Sequence, residues 1–241
     1  MKIVLIRHGD PDRVNNTLTP HGFKEAEALA EAYKDFVFDQ AYSSPLNRAR
    51  YTADIFMKYH RDKTYVIKEW LKEISTPIRV PYESEEVIPW DFLPVEFVKH
   101  EPFFAGDGYF SSEWLRSGAV EKLYDEAAVG LDEILASNGY IRDGRLYRVE
   151  LSNTKTIVIF CHFGMIAALM SHLLNVPFVL LTQYFECQPT GVTTIVTEER
   201  QKGIAQFRCL HFSDISHLTS RGIEPGFWGR FCEIFDSDDR H

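Results

Sequence analysis

Residues 2–8 read Lys-Ile-Val-Leu-Ile-Arg-His, an apolar, β-branched run that ends in two basic side chains. A continuous apolar run of this length is typical of a strand that is buried on both faces. Residues 156–160 form a second such run, which leads into Cys161 and His162. Parallel strands place their carboxyl ends, and the ligand sites there, at one edge of a sheet. If the two strands are neighbours, His8 and His162 meet at that edge.

The rest of the chain alternates between strand patterns and helix patterns. Thr19 and Pro20 are typical of a helix start, as the cap and the first helical residue. Further strands are expected at residues 39–43, 64–68, 192–197 and 204–212, the last two as an antiparallel pair, and further helices from residue 44 and at residues 115–135 and 165–174. This alternation predicts an α/β fold of three layers, in which a mostly parallel central sheet carries helices on both faces.

Regular patterns lapse between residues 74 and 118, where five prolines and many aromatic residues interrupt any long period. We expect a lid-like insertion here, within a single domain that spans residues 1–241, because α/β chains of this length are commonly undivided. Near the C-terminus, four aromatic residues recur at roughly helical spacing, which predicts packing against the body: Phe227, Trp228, Phe231 and Phe235.

The composition is that of an ordinary globular protein, with 45% apolar and 25% charged residues. The 35 acidic residues outnumber the 26 basic ones, and the net charge of −9 disfavours nucleic acid and anionic membranes as partners. No run approaches the roughly 18 apolar residues of a membrane span, and the apolar run before Arg7 is too short for a signal peptide. The four cysteines form no Cys-x-x-Cys pair and are typical of reduced thiols. We therefore expect a cytoplasmic protein.

Four short segments carry the basic residues that suggest chemistry. In chain order they are Arg-His-Gly at residues 7–9, Leu-Thr-Pro-His-Gly at 18–22, Ser-Ser-Pro-Leu-Asn-Arg-Ala at 43–49 and Cys-His-Phe-Gly at 161–164. With these segments the sequence resembles the histidine phosphatase superfamily, which includes cofactor-dependent phosphoglycerate mutase and its phosphatase relatives. The resemblance covers nearly the whole chain outside the insertion.

The resemblance implies a role for each of these basic residues. His8 would be the nucleophile, and Arg7 beside it would bind the phosphate. Arg48 would hold the same phosphate, and His162 would be the second imidazole beside it. The chain departs from the family pattern at the loop after His8 and at Phe163, where many relatives have a small residue.

The proton donor is a carboxyl group in the same interpretation. The family often places a glutamate in a Leu-x-Glu context after the third strand, which matches Glu73. Glu69 and Asp10 stay open as alternatives. Many relatives have an asparagine at the place of Val14, whereas this chain has Asn15 one residue later, so Asn15 receives no role.

These residue types suit phosphoryl transfer on physical grounds as well. The transition state spreads negative charge over three equatorial oxygens, and the planar fork of arginine can hold two of them. Nearby guanidinium groups are expected to lower the pKa of His8 and keep its imidazole neutral and nucleophilic. A carboxylic acid would protonate the leaving alkoxide and, once ionised, activate water. We expect a metal-independent phosphatase with a phosphohistidine intermediate on His8 and no cofactor.

Three other functions stay open at this stage. His8, Asp10 and Asp12 alternate along the chain and could hold the metal of a metal-dependent hydrolase. A phosphotransferase of the phosphoglycerate mutase type and a catalytically inactive binding protein of the same fold are the other two. Cys161 could be a thiol nucleophile, but we interpret it as a core residue. Three further histidines are predicted to be packed or capping residues: His172, His211 and His217.

The insertion also suggests a substrate class. Residues 74–118 contain eight acidic residues against three basic ones, which disfavours a ligand with two anionic groups. Eight aromatic residues in the same stretch could line an apolar wall for the leaving group: Trp90, Phe92, Phe97, Phe103, Phe104, Tyr109, Phe110 and Trp114. We therefore expect a small-molecule phosphomonoester of a largely uncharged alcohol, while a phosphoprotein substrate stays open.

Overall fold

The computed structural model describes residues 1–237, so residues 238–241 of the predicted domain lie outside the described part. Eight strands form a central sheet in the order β5-β4-β8-β1-β9-β10-β7-β6, and β2 and β3 form a separate small ribbon. The strands are β1 (Lys2–Arg7), β2 (Pro11–Asp12), β3 (Thr17–Leu18), β4 (Gln40–Ser43), β5 (Val66–Ile67), β6 (Tyr140–Asp143), β7 (Leu146–Val149), β8 (Thr156–Cys161), β9 (Val192–Gln201) and β10 (Ile204–Asp214).

The sheet is parallel on one side and antiparallel on the other. Strands β5, β4, β8 and β1 pair in parallel, whereas β1 pairs antiparallel with β9, which continues through β10 and β7 to β6. The predicted α/β class is therefore confirmed, with the parallel part confined to one half of the sheet. The predicted antiparallel pair is confirmed as β9 and β10, and the hairpin of β6 and β7 was not predicted.

Helices cover both faces of the sheet. They are α1 (Pro20–Ala32), α2 (Asn47–Met57), α3 (Pro94–Lys99), α4 (Glu113–Arg116), α5 (Val120–Ser137), α6 (Phe163–Leu174), α7 (Phe178–Tyr184) and α8 (Ser216–Thr219). Thr19 caps α1 as predicted, since its hydroxyl accepts a hydrogen bond from the backbone N–H of Gly22 at 2.9 Å. The single helix predicted at residues 115–135 is instead the two helices α4 and α5.

Strand β1 contributes to the two largest hydrophobic clusters, one on each face of the sheet, which explains its continuous apolar sequence. Ile3 and Leu5 pack in the core that contains residues of α5 and α6. Val4 and Ile6 point to the opposite face, where Phe56 of α2 is buried. Alternate side chains of a strand face opposite sides of the sheet, so a strand with both faces covered must be apolar throughout.

Residues 74–118 form an irregular segment with short helices. Ile78 and Val87 form an isolated antiparallel bridge, and α3, α4 and two 3-10 helices follow. Most of its aromatic residues are buried in the core and contact one another, among them Phe92, Phe97, Phe103 and Trp114. These side chains therefore serve the packing of the segment.

The C-terminal aromatic stripe does not form. Phe227–Gly229 is one turn of 3-10 helix, and no longer helix follows among the described residues. Phe231 and Phe235 are 54% and 82% exposed, so the prediction that they pack against the body is wrong. None of the helices within residues 1–237 is long and apolar enough to cross a membrane.

Candidate functional site

The pairing of β1 with β8 brings the two predicted histidines together. The strands are parallel neighbours, and Arg7 lies opposite Cys161 in their register. The backbone N–H of His8 donates to the carbonyl oxygen of Cys161 at 3.0 Å. The imidazole rings of His8 and His162 therefore lie side by side, with ring centroids 5.0 Å apart.

The backbone holds His8 in one tautomer. Its Nδ1 lies 2.7 Å from the carbonyl oxygen of Gly9, and a carbonyl can only accept a hydrogen bond, so Nδ1 carries the proton. The N–H of Gly9 donates to Thr52 Oγ1 at 3.1 Å, which anchors this peptide to α2. Nε2 consequently keeps its lone pair, and Arg48 Nε donates to it at 3.1 Å.

The surroundings also keep His8 uncharged. The residue is only 3% exposed. Burial lowers the pKa of His8 well below its ordinary value, and His162, Arg48 and Arg7 lower it further. A neutral ring with a free Nε2 lone pair is the form of histidine that can act as a nucleophile.

His162 is fully buried beside His8. Its Nε2 lies 2.7 Å from the hydroxyl oxygen of Ser44, which fixes the orientation of the ring. Its Nδ1 has no hydrogen-bond partner in residues 1–237. Burial lowers the pKa of His162 well below its ordinary value, and the guanidinium groups of Arg48 and Arg7 act in the same direction. Ser44 belongs to a segment that the sequence highlights, although only Arg48 was singled out from it.

Protein acceptors from distant parts of the chain hold Arg7. One guanidinium nitrogen pairs with Glu186 at 2.9 Å and with the carbonyl oxygen of Cys187, and the other donates to the carbonyl oxygen of Trp228 at 3.0 Å. Burial raises the pKa of Glu186, and the positive charge of Arg7 opposes this shift. Arg7 Nε is buried without a partner among the described residues. No local sequence signal marks Glu186, and the aromatic spacing that includes Trp228 does not indicate Arg7 as its partner; the two residues lie 179 and 221 residues from Arg7.

A cavity of about 280 Å³ opens onto this cluster. Its lining comprises Arg7, His8, Pro11, Asp12, Arg13, Asn16, Thr17, Arg48, Glu73, Ser75, Ile88 and Trp90. Arg13 was not predicted, and the loop position after His8 is the one signal that could have suggested it. A larger groove of about 940 Å³ runs beside α5 but contains none of the predicted basic residues.

Glu73 is the one candidate proton donor that lines the cavity. Its Oε1 accepts hydrogen bonds from the N–H groups of Ile74 and Met165 at 3.0 and 3.1 Å. Burial raises the pKa of Glu73, while Arg48 and Arg7 oppose that shift. The carboxyl group therefore keeps its proton to a higher pH than an exposed glutamate.

The other two donor candidates lie elsewhere. Glu69 is exposed and pairs with Lys72 at 2.8 Å. The carboxylate of Asp10 accepts a hydrogen bond from the hydroxyl of Thr19 at 2.9 Å and one from the N–H of Trp228 at 3.1 Å. Both oxygens of Asp10 thus serve the packing of the loop against α1 and the C-terminal segment.

Asn15 and the candidate metal ligands Asp10 and Asp12 are held by hydrogen bonds within the chain. Asn15 donates hydrogen bonds to the carboxylate of Asp12 from its backbone and its side chain. The asparagine that lines the cavity is its neighbour Asn16. With Asp10 and Asp12 engaged in this way, the three-ligand metal site does not form, and residues 1–237 contain no cluster of three ligands for a metal.

Packing accounts for Cys161 and for two of the three other histidines that the sequence analysis named. Cys161 is fully buried, and burial raises the pKa of its thiol well above the ordinary value, which disfavours a thiolate nucleophile. His172 pairs with Asp132 at 2.9 Å, and His217 lies 2.9 Å from the hydroxyl of Thr190. His211 is exposed, so its predicted packing is wrong.

The insertion meets the cavity through three side chains, Ser75, Ile88 and Trp90. Of the acidic side chains that the structure describes in residues 74–118, none lines the cavity. The negative surroundings that the composition of this stretch predicts are therefore absent from the described lining. Trp90 is the one residue of the predicted aromatic wall that reaches the cavity.

Comparison with known proteins finds a family model that matches part of the chain. Residues 3–79 match the model of the histidine phosphatase superfamily (branch 1). This segment includes Arg7, His8, Arg48 and Glu73. No curated protein matches the sequence significantly.

Solved phosphatases share the fold of the chain. A phosphoserine phosphatase variant from Entamoeba histolytica, in complex with phosphoserine, is 23% identical, with a TM-score of 0.57 over 90% of this chain and 98% of the other. A mycobacterial glucosyl-3-phosphoglycerate phosphatase is 17% identical, with a TM-score of 0.60 over 88% and 98%. The α-ribazole phosphatase from Shigella flexneri is 18% identical, with a TM-score of 0.57 over 89% and 97%. The family match and this shared fold confirm the predicted resemblance to the histidine phosphatase superfamily.

Gly164, at the start of α6, tests how tightly the site is packed. A Cβ atom at Gly164 would lie 2.5 Å from the ring of Trp90 and 2.8 Å from Glu73 Oε1. Gly164→Ala is therefore expected to lower the free energy of unfolding by about 1–3 kcal/mol, the usual cost of overpacking. Gly108→Ala is the matched control, because its Cβ would meet its nearest neighbour at 3.5 Å. Urea denaturation measures both, and equal stabilities of the two variants would contradict the packing described.

Proposed function

Because the motifs, the family match and the fold all point to the histidine phosphatase superfamily, we propose that the protein is a phosphatase that hydrolyses a phosphomonoester through a phosphohistidine on His8. The observation that carries the proposal is the state of His8. Its Nδ1 proton is held by Gly9, and its Nε2 lone pair lies in a cavity beside Arg48. A neutral imidazole beside cationic groups is what attack on a phosphate requires.

The phosphate would bind where buried nitrogen atoms lack partners. Arg7 Nε and His162 Nδ1 are both buried without a partner in the described part of the chain, and an unpaired buried polar atom is costly. Phosphate oxygens would satisfy both atoms, and a third oxygen would take the Arg48 Nε–H that now bonds to His8 Nε2. For His162 to donate from Nδ1, the hydroxyl of Ser44 must donate to Nε2, which their 2.7 Å separation allows.

Glu73 would serve both chemical steps. In the first step His8 Nε2 attacks phosphorus in line, the bond from phosphorus to the ester oxygen breaks, and that oxygen takes the proton of Glu73. In the second step the Glu73 carboxylate accepts a proton from water as the water oxygen attacks phosphorus. The bond from phosphorus to Nε2 then breaks, which releases inorganic phosphate and restores both groups.

The remaining features of the proposal follow from the same site. The guanidinium groups of Arg7 and Arg48 supply the positive charge that a metal provides in other phosphatases, so we propose a metal-independent reaction without a cofactor.

We also propose that residues 1–241 form one domain in which the segment 74–118 covers the site as a lid. The cysteines at 161, 187, 209 and 232 are free thiols, in keeping with a cytoplasmic protein.

The substrate class proposed is a small phosphomonoester. The cavity of about 280 Å³ suits a small molecule, and the similar structures named above are phosphatases of phosphoserine, glucosyl-3-phosphoglycerate and α-ribazole phosphates by their descriptions. A phosphotransferase of the mutase type, or an inactive binding protein, would differ from this proposal in the fate of the phosphoryl group.

His8→Ala is expected to lower phosphate release at least about a thousandfold, because it removes the nucleophile. Incubation of the wild-type protein with a ³²P-labelled phosphomonoester, followed by rapid quenching, should trap an acid-labile label on the chain, and the variant should carry none. His211→Ala, an exposed histidine on β10, is the matched control and should keep both properties. Label that persists on His8→Ala contradicts the proposal, and label that passes to a second alcohol instead of water identifies a phosphotransferase.

Glu73→Gln tests the proton donor through the pH profile of kcat/KM. Activity needs neutral His8, whose pKa is lowered from 6.5, and protonated Glu73, whose pKa is raised from 4.5. As the pH increases, kcat/KM of the wild-type protein should first increase, at a pH below 6.5, because His8 loses its proton. It should then decrease, at a pH above 4.5, because Glu73 ionises. The variant should lose the falling limb that belongs to Glu73.

The leaving group supplies an independent readout for the same variant. Glu73→Gln should lower kcat/KM about a hundredfold or more for an alkyl phosphate, and much less for p-nitrophenyl phosphate, whose phenolate leaves without a proton. The constant kcat/KM is the one to compare, because it reports the steps up to loss of the alcohol and not the later attack of water, which both esters share. Glu69→Gln is the control and should match the wild-type protein with both esters. Equal losses on the two esters would show that Glu73 does not donate the proton.

A further inference from the structure

A third arginine reaches the cavity from the loop that follows His8. Arg13 lines the cavity and is exposed, whereas Arg7 is buried and Arg48 is partly buried. Arg13 thus lies at the mouth, while the other two guanidinium groups lie at the floor beside His8. The phosphoryl group must sit at the floor, on Nε2, so the alcohol that leaves it extends towards Arg13.

Trp228 fixes the position of Arg13. The guanidinium carbon of Arg13 lies 3.7 Å from the centroid of the Trp228 ring, which is a close cation–π stack. Stacking uses the flat face of the guanidinium group and leaves the N–H donors in its plane directed sideways. The fork of donors is therefore held at the cavity mouth by the ring behind it.

The segment that carries Trp228 is itself fastened beside the phosphate site. The N–H of Trp228 donates to Asp10, and its carbonyl oxygen accepts from Arg7 at 3.0 Å. The N–H of Gly226 donates to the buried carboxylate of Glu25 at 2.7 Å. Residues 226–228 are here called the C-terminal strap. The strap therefore contacts both arginines, since the backbone of Trp228 binds Arg7 and its ring packs on Arg13.

The charges at the mouth favour an anion there. Two carboxyl groups share the cavity lining with Arg13. The oxygens of Asp12 accept hydrogen bonds from Asn15 at 2.9 and 2.7 Å, and Glu73, which interacts electrostatically with Arg13, keeps its proton to a higher pH than an exposed glutamate. In the proposed reaction Arg7 and Arg48 bind the phosphoryl group that is transferred. The positive charge of Arg13 is therefore available to another part of the substrate. The acidic residues of segment 74–118, which argued for an uncharged alcohol, do not line this cavity where the structure describes them.

We propose that Arg13 binds a second anionic group on the alcohol of the substrate, a carboxylate or a further phosphate, and that Trp228 positions Arg13 for it. The proposal rests on the phosphatase function proposed above. Its chemistry is the match between the planar fork of arginine and two oxygens of an oxyanion. Arg13 is thus a specificity-determining residue, and Trp228 is a positioning residue that acts through it.

Two pairs of esters isolate the second anion. Phosphoserine and phosphoethanolamine differ by one carboxylate, and the bisphosphate and monophosphate of propane-1,3-diol differ by one phosphate. For each pair, calorimetry with His8→Ala, a variant that cannot turn the ester over, gives the ratio of the two dissociation constants. Phosphate release by the protein that keeps His8 gives the ratio of the two kcat/KM values. We expect at least one pair to favour the doubly anionic ester about tenfold or more, as charge-assisted hydrogen bonds imply. The pair that responds identifies the carboxylate or the phosphate.

The variants then assign this preference to the cavity mouth. Arg13→Met keeps the length of the side chain without its charge and should reduce the ratio for the responding pair to near one. Trp228→Leu should reduce the ratio in the same direction, and Trp228→Phe, which keeps an aromatic face, should restore part of it. Arg61→Met removes an exposed arginine from the turn that follows α2 and should leave the ratio unchanged.

Each contrary result has a distinct meaning. Equal affinities within both pairs, or a ratio that survives in Arg13→Met, overturn the inference while the phosphatase proposal stands. A ratio that falls in Arg13→Met but not in Trp228→Leu overturns the positioning role alone. Failure of all four esters to bind His8→Ala, together with no phosphate release by the wild-type protein, overturns the phosphate site itself.

Discussion

A hydrogen bond of 2.7 Å joins His8 Nδ1 to the carbonyl oxygen of Gly9, and the chemistry that we propose depends on it. The bond fixes which nitrogen carries the proton and leaves Nε2 with its lone pair. Gly9 is held in turn by Thr52, and His8 by its backbone bond to Cys161. The tautomer of His8 is therefore set by the pairing of β1 with β8 and by the docking of α2.

The site concentrates positive charge in a protein that is acidic as a whole. The net charge is −9, yet Arg7, Arg13 and Arg48 all line one small cavity. Such a concentration is costly unless counter-charges support it, and Glu186 supplies one to Arg7 through a partly buried ion pair. Burial, His162 and the guanidinium groups lower the pKa of His8, whereas burial raises the pKa of Glu73. The two titratable groups of this cavity are therefore suited to the opposite roles that we propose for them.

The parts of the site that lie within short segments could be predicted from the sequence. His8 and His162 each follow a continuous apolar strand, and the parallel pairing of those strands decides that they meet. The contacts of Glu186 and of the C-terminal strap with Arg7 could not be predicted, because contacts across 179 to 221 residues leave no periodicity or motif. The spacing of Phe227 and Trp228 indicated packing but not this partner. The acidic composition of segment 74–118 predicted a negative environment at the site, and the described lining of the cavity does not show it. Net charge describes a whole segment, whereas a cavity is lined by the few side chains that reach it, here Ser75, Ile88 and Trp90.

The tautomer and charge of His8 can be observed directly. Long-range ¹H–¹⁵N correlation spectra of the ¹⁵N-labelled protein at pH 7, with His8 assigned by its absence in His8→Ala, report the protonation of each imidazole nitrogen. The account predicts a neutral His8 with a protonated Nδ1 and an unprotonated Nε2. A cationic ring, or a neutral ring with its proton on Nε2, would contradict it.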